Sequence, residues 1–290
     1  MTTNSPTTWQ TRSSRQRAMR GVIRTLVVVL LVVYAAVSVF PFLVMVGGAL
    51  KTNKQVLTDP LPFTSVPTFQ TLVDTFQALN VPTLLLNSLV IAVGSCLLIL
   101  VIFPLAGYAF AVLRFPLKRT LFAIFVGALF VPAVTVLLPI VILDQTLGLN
   151  GNPLAVIFPL VNGAAPIAIV LMRSFYATIP AEVREAAVLD GCSEFGIFFR
   201  IYFPLSRSAL VTVAILNFVG AWNEYVLPEL TNDDPSRYPL PVGLQSLLSS
   251  NVVQWNQVMA AALIIVVPII ILFVFLQRFF INGLQGSVKG

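Results

Sequence analysis

The sequence predicts an all-α membrane protein of six transmembrane helices with both chain ends in the cytoplasm. Three observations predict it. Of the 290 residues, 58% are hydrophobic and only 10% are charged. A soluble domain is normally about one quarter charged, so lipid rather than water must solvate most of this surface. Six apolar runs follow one another, and about 20 residues suffice to cross the hydrocarbon layer. Finally, 14 of the 17 lysines and arginines fall in segments that six crossings place on one side, and basic loops stay cytoplasmic.

Residues 1–24 form a basic segment with Arg12, Arg15, Arg17, Arg20 and Arg24. The first span covers 25–50 without a charge. It is longer than the apolar core of about 7–15 residues in a signal peptide, although Gly47-Gly48-Ala49 is faintly cleavage-like. Lys51 to Pro82 is an external polar segment, with a short surface helix expected over 68–79. The second span covers 83–112 and is followed by Arg114, Lys118 and Arg119. The third covers 121–143 with Pro132 and Pro139 inside it. Asp144 to Asn152 reads as a short turn, and the fourth span covers 154–172, ended by Arg173. A polar loop over 177–207 precedes the fifth span at 209–227. An external segment with Asp233, Asp234, Pro235 and Arg237 leads to the sixth span at 258–276. The spans and their loops make one domain over 25–277, and 278–290 is a tail. Proline frees a backbone carbonyl and bends a helix, so Pro104, Pro132, Pro139, Pro159, Pro166 and Pro268 predict bent spans. Cys96 and Cys192 imply no disulfide framework. The absence of histidine excludes histidine triads, metal sites and proton relays. No metal site and no nucleic-acid partner is expected.

The loop reads EAAVLDGCSEFGIFFRIYFPL from Glu185 to Leu205. Pro180 suits a first helical turn, and Glu182 and Glu185 follow where the helix dipole favours acids. Ala186 and Ala187 leave that helix thin enough for close approach. Asp190-Gly191 is a turn signal. A second helix carries Phe195, Phe198, Phe199 and Tyr202 on one predicted apolar face, and Pro204 closes it. Such a lever between spans suits the grip of a soluble partner; the alternative is an ordinary loop packed on the membrane bundle.

The pattern E-A-A-x-x-D-G with a later hydrophobic-Pro resembles the EAA loop of ABC importer permeases. Glu185, Ala186, Ala187, Asp190, Gly191 and Pro204 carry the match, and Cys192 replaces the more usual alanine. The resemblance implies an ABC importer permease fold, with a cytoplasmic coupling loop, including Glu182, seated on an ATP-hydrolysing subunit. The tail GLQGSVKG resembles that of the maltose-type second permease, which implies that Gly286, Lys289 and Gly290 also reach the ATPase dimer; a solvated loose end is the alternative. The resemblance further implies a second permease, two ATP-binding cassette subunits and an extracytoplasmic solute-binding protein. It also implies that ATP and magnesium belong to the ATPase partners, and that this chain is neither an enzyme nor a cofactor binder. Gly48-Ala49-Leu50-Lys51-Thr52 lacks the glycine that a phosphate-binding loop needs before its lysine.

Polar residues within spans face protein or a water-filled path. Asn217, Trp222, Asn223 and Glu224 are therefore substrate-path candidates: amides and carboxylates suit sugar hydroxyls, and indole suits a sugar ring. Their W-N-E cluster resembles the same sugar-uptake subgroup; an interfacial anchor with a wetted Glu224 is the alternative. Asn87 and Asn162 are weaker candidates that also suit helix–helix hydrogen bonds. The external segment 232–256 corresponds by position to a loop that enters the binding protein in maltose-type relatives. The expected function is a sugar importer permease subunit in a prokaryotic cell membrane. The competing class is an ion-coupled secondary transporter, which usually needs ionisable groups at span centres.

Overall fold

A computed structural model describes the backbone of residues 14–287, with side chains described for Met19 and residues 21–275. Helices dominate it. The first is α1 (Ser14–Ala49), an apolar rod whose main helix partner is the last helix. Next come α2 (Asn53–Thr58), α3 (Gln70–Ala78) and α4 (Val81–Val112). A capping box starts α2: Thr52 Oγ1 accepts from Gln55 N, and Gln55 Oε1 accepts from Thr52 N at 2.9 Å. The surface helix expected over 68–79 is α3.

The third span departs from expectation. Rather than one helix over 121–143, the chain forms α5 (Lys118–Ala128) and α6 (Ala133–Thr146), bent by 98° at the break. Pro132 cannot donate to the ladder and disfavours helical backbone at Val131, so the first helix ends short of it and the second starts just after it. Asp144 also differs from expectation. It is not in an open turn, because α6 continues to Thr146 and buries it.

The chain continues with α7 (Leu154–Tyr176), α8 (Ala181–Leu189) and α9 (Glu194–Ile197). A π turn over Phe198–Tyr202 leads into α10 (Phe203–Leu205). Then come α11 (Arg207–Trp222), α12 (Val226–Thr231), α13 (Leu240–Leu248) and α14 (Trp255–Ser287). The expected fifth span over 209–227 is thus shorter, since Asn223–Tyr225 interrupt the helix. Four helices are long and apolar enough to cross a membrane, or up to six if each bent pair counts as one span.

The centre of the bundle is the pair α4 and α7, covered by α11. Small residues let these helices approach, as is usual in membranes. Ala92, Ala155 and Ala168 are fully buried, and a Cβ on Gly107 would fall 2.5 Å from Met172 Cβ. One core cluster joins α4 and α7 to Ala187, Ile197, Phe198 and Tyr202 of the 177–207 loop. A second joins Val81 and Leu84 to Trp222, Leu240 and Ile265.

Buried Lys51 ties the segment between α1 and α4 together. Its Nζ donates to the carbonyls of Asp59 at 2.7 Å and Leu61 at 2.6 Å, and to Thr64 Oγ1 at 3.0 Å. A buried ammonium is tolerable only when paired and hydrogen-bonded in this way. The Lys51 carbonyl accepts from Thr71 Oγ1 at 2.8 Å and from Asn256 Nδ2 at 3.3 Å, which ties the segment to the start of α14.

Candidate functional site

The EAA-like loop is a helix, a locked turn and a second helix. The turn after α8 satisfies the last carbonyls with two hydrogen bonds. Gly191 N donates to Val188 O and Cys192 N donates to Ala187 O, both at 3.0 Å, with Gly191 left-handed at φ +77. This is the Schellman arrangement, which needs a left-handed residue and favours glycine there. Ser193 then opens α9 by accepting from Gly196 N at 3.2 Å.

A polar clamp fastens this unit to the spans. Tyr108 Oη, on α4, donates to Glu194 Oε2 at 2.7 Å. Arg184, on α8, pairs with the same carboxylate through Nη2 and Nε. The carboxyl of Glu194 is held below its ordinary value, chiefly by the Arg184 hydrogen bond. Around the clamp the rings of Tyr108, Tyr176 and Tyr202 pack edge to face, with Phe198 tilted against Tyr108 and the Tyr108 and Tyr202 centroids 4.8 Å apart. Tyr176 Oη lies 3.1 Å from Ser206 Oγ, at the hinge where the helical stretch Glu194–Leu205 meets α11 at 76°.

The predicted residues divide between two faces. Glu182, Glu185, Ala186, Asp190 and Gly191 are exposed, whereas Ala187 is buried against the core. Neither Glu182 nor Glu185 forms an ion pair among the described residues. Beside them Leu189 is 87% exposed and Phe195 is 71% exposed. The single apolar face expected for the second helix is not found. Phe198 and Tyr202 are buried, but Phe195 and Phe199 point outward. The helix turns its Ile197–Phe198–Tyr202 side to the core, and a π turn, which adds a residue to the repeat, distorts it there. Pro204 lies inside the final helical turn, one residue before its end. Gly286 lies on the helical backbone of α14, while Lys289 and Gly290 lie outside the described residues.

The substrate-path candidates are scattered. Trp222 is fully buried between α11 and α14. Its Nε1 donates to Ile265 O at 3.1 Å, and its ring stacks on Phe218. Protein covers the ring on both faces in this structure. Trp222→Phe keeps a ring but removes the donor. It is expected to cost about 1 kcal/mol, read as a lower thermal unfolding temperature of the purified chain; an unchanged value would show that the bond contributes nothing. Glu224 Oε1 accepts from Val226 N at 2.8 Å and Leu227 N at 3.1 Å, capping α12. Asn217 and Asn223 donate back to their own helix at Val213 O and Val219 O. Asn162 is exposed on α7. Asn87 alone among them lines a cavity of about 440 Å³, shared with Asn150, Asn152, Asn232 and Arg237. Its Nδ2 donates to Ser236 O at 2.8 Å and Tyr238 O at 3.0 Å, folding the 232–256 segment back onto α4. Sequence reasoning missed Arg184, Glu194 and Tyr108, since nothing local relates Tyr108 to a loop on another helix.

Comparisons with known proteins agree with this architecture. Residues 102–285 match the family described as "Binding-protein-dependent transport system inner membrane component". The Escherichia coli inner membrane ABC transporter permease protein YcjP is 32% identical over 264 residues, covering 90% of this chain and 94% of that protein. The arabinooligosaccharides transport system permease protein AraQ of Halalkalibacterium halodurans is 33% identical over 262 residues, covering 88% and 93%. Among solved structures, a bacterial ABC transporter involved in the import of the acidic polysaccharide alginate superposes with a TM-score of 0.79 at 22% identity, covering 95% of this chain and 100% of that one.

Proposed function

Because this chain belongs to the family of binding-protein-dependent transport system inner membrane components, we propose that it is the permease subunit of an ATP-driven importer of oligosaccharides or related sugars. A sugar cargo is supported by the arabinooligosaccharide relative. The basic residues support an orientation with both ends and the 177–207 loop in the cytoplasm. The translocation path forms between this chain and a second permease. Two ATP-binding cassette subunits, which hold ATP and magnesium, grip the loop from inside, and a solute-binding protein delivers the sugar outside.

One observation carries the coupling reading. The loop is fastened by hydrogen bonds where it meets the spans and bare where a partner can reach it. Glu194 joins α8 to α4 through Arg184 and Tyr108, while Glu182, Glu185, Leu189 and Phe195 stay uncovered. Closure of the ATPase dimer then moves α4 and α11 as the loop moves. ATP shifts the inward- and outward-open populations only through its different affinity for the two states.

The chain, tagged and purified in mild detergent, is expected to bring a second permease and an ATPase with it. In proteoliposomes, sugar uptake by that complex should follow ATP and ignore an imposed proton gradient. Uptake driven by a proton or sodium gradient without nucleotide would replace this reading with the ion-coupled one.

A further inference from the structure

Two bulky apolar residues stand where glycine is expected. Phe63 and Leu117 both have φ +59, a left-handed backbone that costs side chains with a Cβ. Each follows a proline in a tight turn, Pro62-Phe63 and Pro116-Leu117. Proline first and a left-handed residue second is the type II pattern, which selects glycine at the second place. Neither side chain is compensated inside the protein: Phe63 is 61% exposed and Leu117 is 71% exposed.

Both turns are pinned at the ends of spans. Pro62 packs on α1 so tightly that a Cβ on Gly47 would meet its Cα at 2.9 Å. Lys51 Nζ fixes the same turn through Leu61 O and Thr64 Oγ1. α1 is wholly unburied over its apolar window, so Phe63 sits at the edge of a surface that only a hydrophobic medium can cover. Leu117 lies just past the other end of α4. There Lys118 Nζ donates to Leu113 O at 2.6 Å and Ala111 O at 3.3 Å, fastening the turn to the last carbonyls of the span. Exposed Arg114 and Arg119 flank it.

We propose that Phe63 and Leu117 are membrane anchors, held outward by strained proline turns so that each enters the bilayer interface at opposite ends of the bundle. The partner is lipid. Continuity with the bare apolar surface of α1 argues this for Phe63, and for Leu117 the flanking arginines complement anionic headgroups. Apolar side chains at this depth gain by burial at the headgroup–acyl boundary, which offsets the backbone strain.

The test uses the assembled complex in nanodiscs of phosphatidylcholine and phosphatidylglycerol, with Cys96→Ser and Cys192→Ser. Phe63→Cys and Leu117→Cys carry a nitroxide, and Lys54→Cys and Asp74→Cys, both exposed, serve as controls. Accessibility to oxygen relative to a water-soluble nickel chelate should be several-fold higher at 63 and 117 than at the controls. Equal ratios would place both side chains in water and overturn the proposal. Exclusion of both probes would mean that protein covers them, which also overturns it. Phe63→Trp and Leu117→Trp provide a second measurement that keeps a large apolar side chain. Their emission should be quenched by brominated lipid, and unquenched emission would reject the anchors even if the labelled variants assemble poorly.

Discussion

Gly191→Val is expected to abolish sugar-stimulated ATP hydrolysis in the reconstituted complex while the chain still inserts and assembles. The cost lies in the backbone and not in a clash. A Cβ at this position meets nothing within 4 Å, but φ is +77. A left-handed conformation costs an ordinary residue about 1–2 kcal/mol, and a β-branched side chain is a marked outlier there. Relaxing that strain breaks the bonds from Gly191 N to Val188 O and from Cys192 N to Ala187 O. α8 then changes direction relative to α9, and its exposed face no longer matches a partner shaped for it. Misplacement of about 1 Å can cost two orders of magnitude in a positioned system. Gly191→Asn is the informative control, because asparagine tolerates this backbone, and it should keep most of the stimulation. Wild-type stimulation in the valine variant would remove the turn from the mechanism.

Glu194→Ala is expected to loosen the loop from the bundle. The Arg184 pair is partly exposed, so by itself it contributes only about 0–1 kcal/mol. The larger effect is on Tyr108, which is buried and loses its acceptor; an orphaned hydroxyl costs about 1–3 kcal/mol. Thermal unfolding of the purified complex should shift down accordingly. ATP hydrolysis should become less dependent on sugar, because the loop can then move without α4. Tyr108→Phe removes the hydroxyl alone and should cost less, leaving Glu194 with Arg184. The pH dependence has a definite sign. The folded carboxyl lies below its ordinary value, so its stabilising contribution is complete above about pH 4.3, the unfolded value. It is lost as pH falls through the folded value. Glu194→Ala should therefore flatten the acid limb of the stability profile, and an unchanged limb would show that the clamp carries no linkage.

The sequence revealed what is local. Runs of apolar residues located the four helices long and apolar enough to cross a membrane, and Asp190-Gly191 located a turn whose geometry the structure shows in full. The surface helix near 68–79 was legible for the same reason. The break at Pro132 was not: six prolines look alike in sequence, and only the surroundings decide whether a helix bends or stops. Nor did span composition say which side chains pack, because a helix apolar all round has no distinguishable buried face. Trp222 illustrates the limit. Its type suits a sugar ring, an interface or a helix contact equally, and only the folded chain shows its ring on Phe218 and its Nε1 at Ile265 O. The Tyr108–Glu194 bond joins residues far apart in the chain, beyond any periodicity.

Asn87 and Tyr108 lie on one unbroken helix, about 32 Å apart along its axis at ~1.5 Å per residue. The first touches the cavity and the second holds the clamp. A see-saw of that length tilted by about 10° around its middle displaces each tip by about 3 Å in opposite senses. Displacement at the loop end then reaches the far rim through one continuous helix, and Pro104 between the two points is where that helix gives way if it bends.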